Sequence, residues 1–253
     1  MSEINLYKGD CLELMRDIPD GSVDAIICDL PYGTTACKWD VVIPFEPLWA
    51  QYRRIIKKNR AIVLFGSEPF SSHLRLSNLK WYKYDWVWNK SHSSGFQYAK
   101  YRPLQRHEYI LVFGIGRIKY IPQMMAGKLV MKRIGKPETK RDADTVVGGG
   151  VKNNLSLVKS DTYYPTTDQF FSCVSRNKSV HPTQKPVALL EYLIKTYTLE
   201  GDTVLDNTMG SGSTGVACVN LNRNFIGIEK DDKYFEIAKS RINEASLRTK
   251  IAV

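Results

Sequence analysis

Residues 204–229 read VLDNTMGSGSTGVACVNLNRNFIGIE and set Gly210, Gly212 and Gly215 at the spacing G-x-G-x-x-G. A strand-like apolar run precedes the glycines and a helix-like run follows them. Glu229 closes a second strand-like run 19 residues after Gly210. This is the dinucleotide-binding pattern, in which a tight strand-to-helix turn lets backbone approach a ligand and an acid at the end of the next strand accepts ribose hydroxyls. The pattern demands a parallel sheet, yet only 43 residues follow Gly210. The rest of the sheet must come from the chain before it.

That earlier chain supplies the missing elements. Asp24 to Cys28 reads as a buried strand ending at Asp29, and Pro44 to Lys58 as a helix with Phe45, Leu48, Tyr52, Ile55 and Ile56 at helical spacing. Ala61–Phe65 and Tyr109–Phe113 are apolar strands stopped by glycine. Phe70–Leu79 reads as a helix. Lys80–Asn89 alternates, which sets Tyr82, Tyr84, Trp86 and Trp88 on one strand face, a stripe that reads as sheet core. Between 115 and 180 periodicity is poor, as in a functional insertion. Order returns with an amphipathic helix over Pro186–Tyr197, strand Thr203–Leu205, the glycine turn, a helix to Leu221, strand Asn224–Ile228 and a last helix from about Asp232 to Arg248. Strands alternating with helices on both sides of the insertion predict an α/β fold with a mainly parallel, doubly wound sheet.

Net charge is +10, and it is concentrated. Between Arg102 and Arg141 stand ten Lys/Arg against two Glu, an excess that suits a polyanion. The five cysteines (Cys11, Cys28, Cys37, Cys173 and Cys218) form no C-x-x-C, and the four histidines have no metal-ligand spacing, so reduced thiols, no metal and a cytoplasmic protein are expected. Cys28 and Cys218 lie in apolar runs and read as packing residues. No apolar run is long enough for a membrane span, and MSEINLYKGD does not read as a secretory signal. GSGSTG lacks the Lys-Ser/Thr pair of nucleotide-hydrolysing loops.

The strand ending at Asp29 continues as DLPYG: Asp29, Leu30, Pro31, Tyr32, Gly33. An acid, a proline and an aromatic at the C-terminal end of a buried strand lie where α/β sheets bind ligands, although Asp, Pro and Gly also make plain turns.

Taken together, DLPY at 29, a basic insertion, HPTQKP at 181, DNTMGSGST at 206 and GIE at 227 resemble the S-adenosylmethionine-dependent amino-group DNA methyltransferases, in particular the circularly permuted β class. The likeness covers nearly the whole chain apart from 115–180. It implies a Rossmann-like, circularly permuted fold with a catalytic half at 1–114, a basic target-recognition insertion at 115–180 and a cofactor half at 181–253. It implies methyl transfer to N6 of adenine in duplex DNA by base flipping, in the manner of restriction–modification enzymes, and suggests a homodimer. By resemblance, Asp29 and the Leu30 carbonyl accept the amine hydrogens, Pro31 fixes the turn, and Tyr32 stacks on the extruded base. Cofactor contacts fall on Asp10, Cys11, His181, Pro182, Thr183, Lys185, Asp206, Gly210, Ser211, Gly212 and Glu229. Arg102 and Arg106 beside a strand, and Lys132, Arg133, Lys140 and Arg141 in the insertion, are candidates for DNA phosphates.

The chain departs from the family pattern at Leu30, which replaces the first proline of D-P-P-Y, and at Asn207 and Thr208, which replace a Pro-Phe pair. Adenine rather than N4 of cytosine rests on Asp at position 29, where the cytosine enzymes usually carry Ser. RNA adenine methylation, a DNA-binding protein without catalysis and a nicotinamide enzyme are the other readings.

Overall fold

The computed structural model describes residues 2–35, 37, 40–134, 156–175, 177, 179–181 and 183–251. Among the described residues, ten strands and six α-helices follow in order: β1 (Ile4–Lys8), α1 (Cys11–Leu14), β2 (Val23–Cys28), α2 (Phe45–Ile55), β3 (Ile56–Gly66), α3 (Phe70–Ser77), β4 (Tyr82–Ser94), β5 (Gln105–Gly114), β6 (Met125–Ile134), β7 (Ser156–Tyr163), β8 (Asp168–Phe171), α4 (Val187–Tyr197), β9 (Thr203–Asp206), α5 (Ser213–Asn220), β10 (Asn224–Glu229) and α6 (Asp232–Ile251). The chain divides into two compact units, Met1–Ile121 with Thr166–Val253, and Pro122–Pro165. Among the described residues, no helix is long and apolar enough to cross a membrane.

The larger unit holds an eight-stranded sheet in the order β1-β10-β9-β2-β3-β5-β4-β8. All its strands run parallel except β5, which is antiparallel to both neighbours. The two strands of the glycine unit, β9 and β10, lie between β1 and β2. The N-terminal segment therefore completes the sheet on both sides of a unit that comes last in sequence.

β2 and the second half of β3 are buried on both faces, as central parallel strands must be. Their alternation splits the core in two. Ala25, Ile27, Ala61, Val63 and Phe65 face the side covered by α4, α5 and α6. Ile26, Cys28, Ile62 and Leu64 face the side covered by α2 and α3. In α2, Leu48, Trp49, Tyr52 and Ile55 are buried; in α4, Leu189, Leu190, Leu193, Ile194 and Tyr197 are buried, so both helices follow the 3.6-residue period of their apolar residues. Each such side chain contributes about 1.5–3 kcal/mol by leaving water. Pro186, expected in the first turn, is instead the N-cap of α4, one residue before the helix begins, where its missing N–H costs nothing.

Two expectations are corrected. The aromatic stripe of β4 does not share one face. A register shift between Tyr82 and Tyr84 sends Tyr82 to the α2/α3 side against Phe113, while Tyr84, Trp86 and Trp88 pack on the other side. The stretch 115–180 is also not one irregular insertion. Its last part contributes β8 to the main sheet, paired with β4, and the separate unit is a β6/β7 antiparallel ladder. β8 has only four residues, too short to show a periodicity. Lys132 and Arg133 lie on β6. Lys140, Arg141 and Pro182 lie outside the described residues.

Candidate active site

The C-terminal ends of β1, β2, β9 and β10 open onto one cavity of about 760 Å³ in the larger unit. β2 and β9 pair directly, which brings the DLPY turn beside the DNTMG turn. The tether is Thr208. Its hydroxyl donates to the Asp29 carbonyl oxygen at 3.0 Å and lies 2.9 Å from Cys28 Sγ. Asn207 is also anchored, its Oδ1 accepting from the Tyr52 hydroxyl at 2.6 Å. The two departures at 207 and 208 thus place hydrogen bonds that tie the glycine turn to α2 and to the DLPY turn.

At one end of the cavity lies a row of alternating charges. Asp29 Oδ2 accepts from Lys185 Nζ at 2.5 Å, Lys185 lies 3.4 Å from Glu108 Oε2, and Lys90 pairs with the other oxygen of Glu108. Asp29 Oδ1 accepts from the Tyr32 hydroxyl at 2.8 Å. Burial pushes the Asp29 carboxyl up and the negative Glu108 adds to this, while Lys185 holds it down. Burial works against Lys185, yet Asp29 and Glu108 together keep its ammonium above the ordinary value. Glu108 lies below the usual glutamate range because its two lysines outweigh burial. Tyr32 stacks on Phe70 at 4.9 Å between ring centres.

At the other end are the groups expected to hold the cofactor. Gly210 and Gly212 have φ of +53° and +75°, which side-chain-bearing residues rarely adopt, and a Cβ on Gly212 would sit 2.8 Å from that of Ala238. Glu229 receives the Gly210 and Asp231 backbone N–H groups at 2.8 Å each, and burial raises its carboxyl. Asp10 caps α1 through Leu12 N and meets Lys230 at 3.1 Å; Cys11 follows it, buried. Asp206 is buried, accepts from Thr214 at 2.7 Å and Thr208 N at 3.2 Å, and is pushed by burial up to about 7. His181 packs edge-on against Tyr234, accepts from Thr183 N at 3.2 Å, and is lowered by burial and Lys185 to about 4, hence neutral at pH 7.

Every described cofactor candidate lines this cavity or its glycine turn. Lys185 stands apart from the others: it is on the Asp29 carboxylate rather than near Glu229 and the glycine turn. Arg102, between β4 and β5, and Arg106, on β5, are exposed. Sequence reasoning missed Lys90, Glu108 and Arg241. Lys90 and Glu108 meet only through the β4/β5 register, which spacing along the chain does not show. Arg241, on α6, reaches back to the Ser211 carbonyl and hydroxyl and braces the turn; its only trace is a charge on an otherwise mixed helix face.

A doubly wound sheet with a glycine turn, an acid at the end of the next strand and a carboxylate beside the cavity defines an α/β methyltransferase fold with a nucleoside-cofactor site. The DNA methylase family model, covering N6 and N4 enzymes, matches residues 23–240, and the chain belongs to that family of DNA methyltransferases. Type II methyltransferase M.HpaI of Haemophilus parainfluenzae is 28% identical over 252 residues, 94% of this chain and 74% of that protein. M.HinfI of Haemophilus influenzae is 25% identical over 272 residues, 94% and 68% of the two chains. The crystal structure of the M1.HpyAVI–SAM complex superposes with a TM-score of 0.63 at 28% identity, covering 94% of this chain and 99% of that one. PvuII DNA methyltransferase, cytosine-N4-specific, matches with a TM-score of 0.66 at 15% identity over 98% and 93%, a likeness of fold alone. The cofactor is S-adenosylmethionine. The site suits it: carboxylates at the tips of β1, β9 and β10 face a cavity large enough for a nucleoside with a cationic tail.

Proposed function

We propose that this chain transfers a methyl group to N6 of adenine in duplex DNA, with the base flipped into the Asp29 end of the cavity. The observation that carries the reading is the row Asp29–Lys185–Glu108–Lys90 opening onto the same cavity as the glycine turn. The order of motifs, with the catalytic turn on β2 and the glycine turn on β9 toward the end of the chain, supports the circularly permuted β class.

Bound S-adenosylmethionine supplies an electrophilic methyl on sulfur. In our reading Glu229 holds its ribose, Asp10 and Cys11 border its adenine, and Asp206 with the Gly210–Gly212 turn faces its methionine part. The target amine is a poor nucleophile because its lone pair is delocalised into the ring. Two acceptors on its N–H groups localise that pair and aim it. Asp29 Oδ1 and the Leu30 carbonyl take these positions, and a carbonyl serves equally well from leucine as from proline. As the nitrogen displaces sulfur from the methyl carbon it sheds one proton, which passes along its hydrogen bond to Asp29. Tyr32, whose hydroxyl donates to Oδ1, yields that oxygen to the amine and offers its ring to the base. Lys185 fixes the other oxygen and keeps Asp29 charged. Arg102 and Arg106, with Lys132 and Arg133 on β6, supply phosphate contacts.

Asp29 selects adenine in this reading, since the cytosine-N4 enzymes of the family usually carry serine there. The N4 amine of cytosine has the same two hydrogens and is the second reading. Digesting methylated DNA to nucleosides decides between them: N6-methyladenine is expected, and N4-methylcytosine alone would refute the assignment.

A further inference from the structure

We propose that the loop between β4 and β5, residues 95–104, is an aromatic wedge that stacks on bases of the duplex beside the flipped nucleotide. The inference rests on the DNA methyltransferase reading and adds to it a base-contacting element.

The placement comes first. β4 carries Trp88 and Lys90 in the cavity wall, then runs on to Ser94, and β5 returns through Gln105 to Glu108 in the same wall. β4 is parallel to β8 and, across the intervening antiparallel β5, runs in the direction of β2 and β3. The loop therefore stands on the sheet edge that bears Asp29, beyond the cavity.

Its composition comes second. Phe96, Tyr98 and Tyr101 are 64%, 48% and 86% exposed. Lys100 and Arg102 stand among them, Arg106 follows on β5, and no acidic residue occurs from 95 to 107. The Arg102 guanidinium lies over the Tyr98 ring at 4.7 Å, and Arg106 Nε donates to the Lys90 carbonyl at 3.1 Å, which fixes the base of the loop beside the cavity wall.

The third observation is order. The segment is a hydrogen-bonded turn: Tyr98 N donates to Gly95 O at 2.9 Å, Ala99 N to Phe96 O at 3.1 Å, and Tyr101 N and Arg102 N to Tyr98 O at 2.8 and 3.0 Å. Its backbone is held while its rings face water.

Exposed rings among cations, without anions, match a polyanion that also offers flat apolar faces. A base stack is such a partner. Flipping one nucleotide exposes two base faces at a cost, and aromatic rings can cover them whatever the sequence, while the neighbouring cations neutralise phosphates.

The test uses the full-length protein with S-adenosylhomocysteine and mixed-sequence duplex DNA carrying 5-iodouracil for thymine. After irradiation, cross-linked residues are mapped by mass spectrometry. Cross-links at Phe96, Tyr98 or Tyr101 are expected; cross-links confined to other segments overturn the proposal. In parallel, the combined variant Phe96→Ala, Tyr98→Ala, Tyr101→Ala should bind the duplex about tenfold or more weakly, with its salt dependence and S-adenosylmethionine affinity unchanged. Unchanged DNA affinity contradicts the wedge, and loss of a wild-type dimer with DNA affinity intact would make the loop a protein interface instead. Methyl transfer by the wild type to the same DNA is scored separately. Its absence would count against the proposed function, whereas transfer without loop cross-links would count against the wedge alone.

Discussion

Asp24 and Asp29 stand on or just past the same strand, five residues apart, and have opposite surroundings. Asp24 is 2% exposed. Its Oδ2 accepts from Lys57 at 2.7 Å and from Thr203 N at 3.0 Å, and its Oδ1 meets Arg60 at 2.7 Å. Arg60 continues to Asp202 at 2.9 Å. This network closes on itself and ties the starts of β2, β3 and β9. Asp29 shares its one cation, Lys185, with Glu108 and opens to the cavity. Each carboxylate has a partner at both oxygens, Asp29 from Lys185 and the Tyr32 hydroxyl. The two differ in where they face: Asp24 lies among the strands its network holds together, and Asp29 faces the cavity, where the proposed mechanism exchanges the Tyr32 hydroxyl for the substrate amine.

The largest effect that separates the two ends is on turnover. Asp29→Ala should lower methyl transfer by about 10²–10⁴-fold, with Tm and S-adenosylmethionine affinity near wild type by thermal melt and calorimetry. Asp24→Ala should do the reverse. It leaves Lys57 and Arg60 beside a lost partner and should cost about 3 kcal/mol of stability in denaturant titration, with turnover per folded molecule retained. Equal loss of stability in both variants would erase the distinction.

Smaller effects sharpen it. In the proposed mechanism Asp29 is ionised to accept the amine, so kcat/KM should fall as pH drops through its pKa. Lys185→Met removes the cation that holds this pKa down, and the acid limb of the pH profile should move up by about one unit or more. Asp206, pushed by burial up to about 7, is neutral below that pH and ionised above it. A cationic cofactor favours the ionised form, so the affinity for S-adenosylmethionine should strengthen from pH 6 to 8, by at most about tenfold per unit. Asp206→Asn should flatten that dependence. The smallest change is expected for Thr208→Val, which loses the tether to the Asp29 carbonyl and about 1 kcal/mol, read as a several-fold fall in kcat at unchanged KM for the cofactor.

The sheet and its helices were legible because burial imposes a period. The apolar residues of α2 and α4 recur at helical spacing, and β2 is a continuous apolar run, so these elements lie within a few residues of the positions read from sequence. The glycine turn was legible because its backbone geometry restricts residue choice. What was not legible depends on pairing. A one-residue bulge near Lys83 reversed Tyr82, and Glu108 reaches Lys185 only once β5 is set beside β4 with its register fixed. Lys185 was found through HPTQKP, but its contact with Asp29 spans 156 residues of chain, and no local rule connects them.

The most direct test of the account is single-turnover transfer of labelled methyl from saturating S-adenosylmethionine to mixed-sequence duplex DNA, with nucleoside analysis, for the wild type, Asp29→Ala and Asp24→Ala. The account predicts label in adenine at like rates for the wild type and for folded Asp24→Ala, and at a rate lower by about 10²-fold or more for Asp29→Ala. Transfer by Asp29→Ala at the wild-type rate, with the cofactor bound as in the wild type, would contradict it.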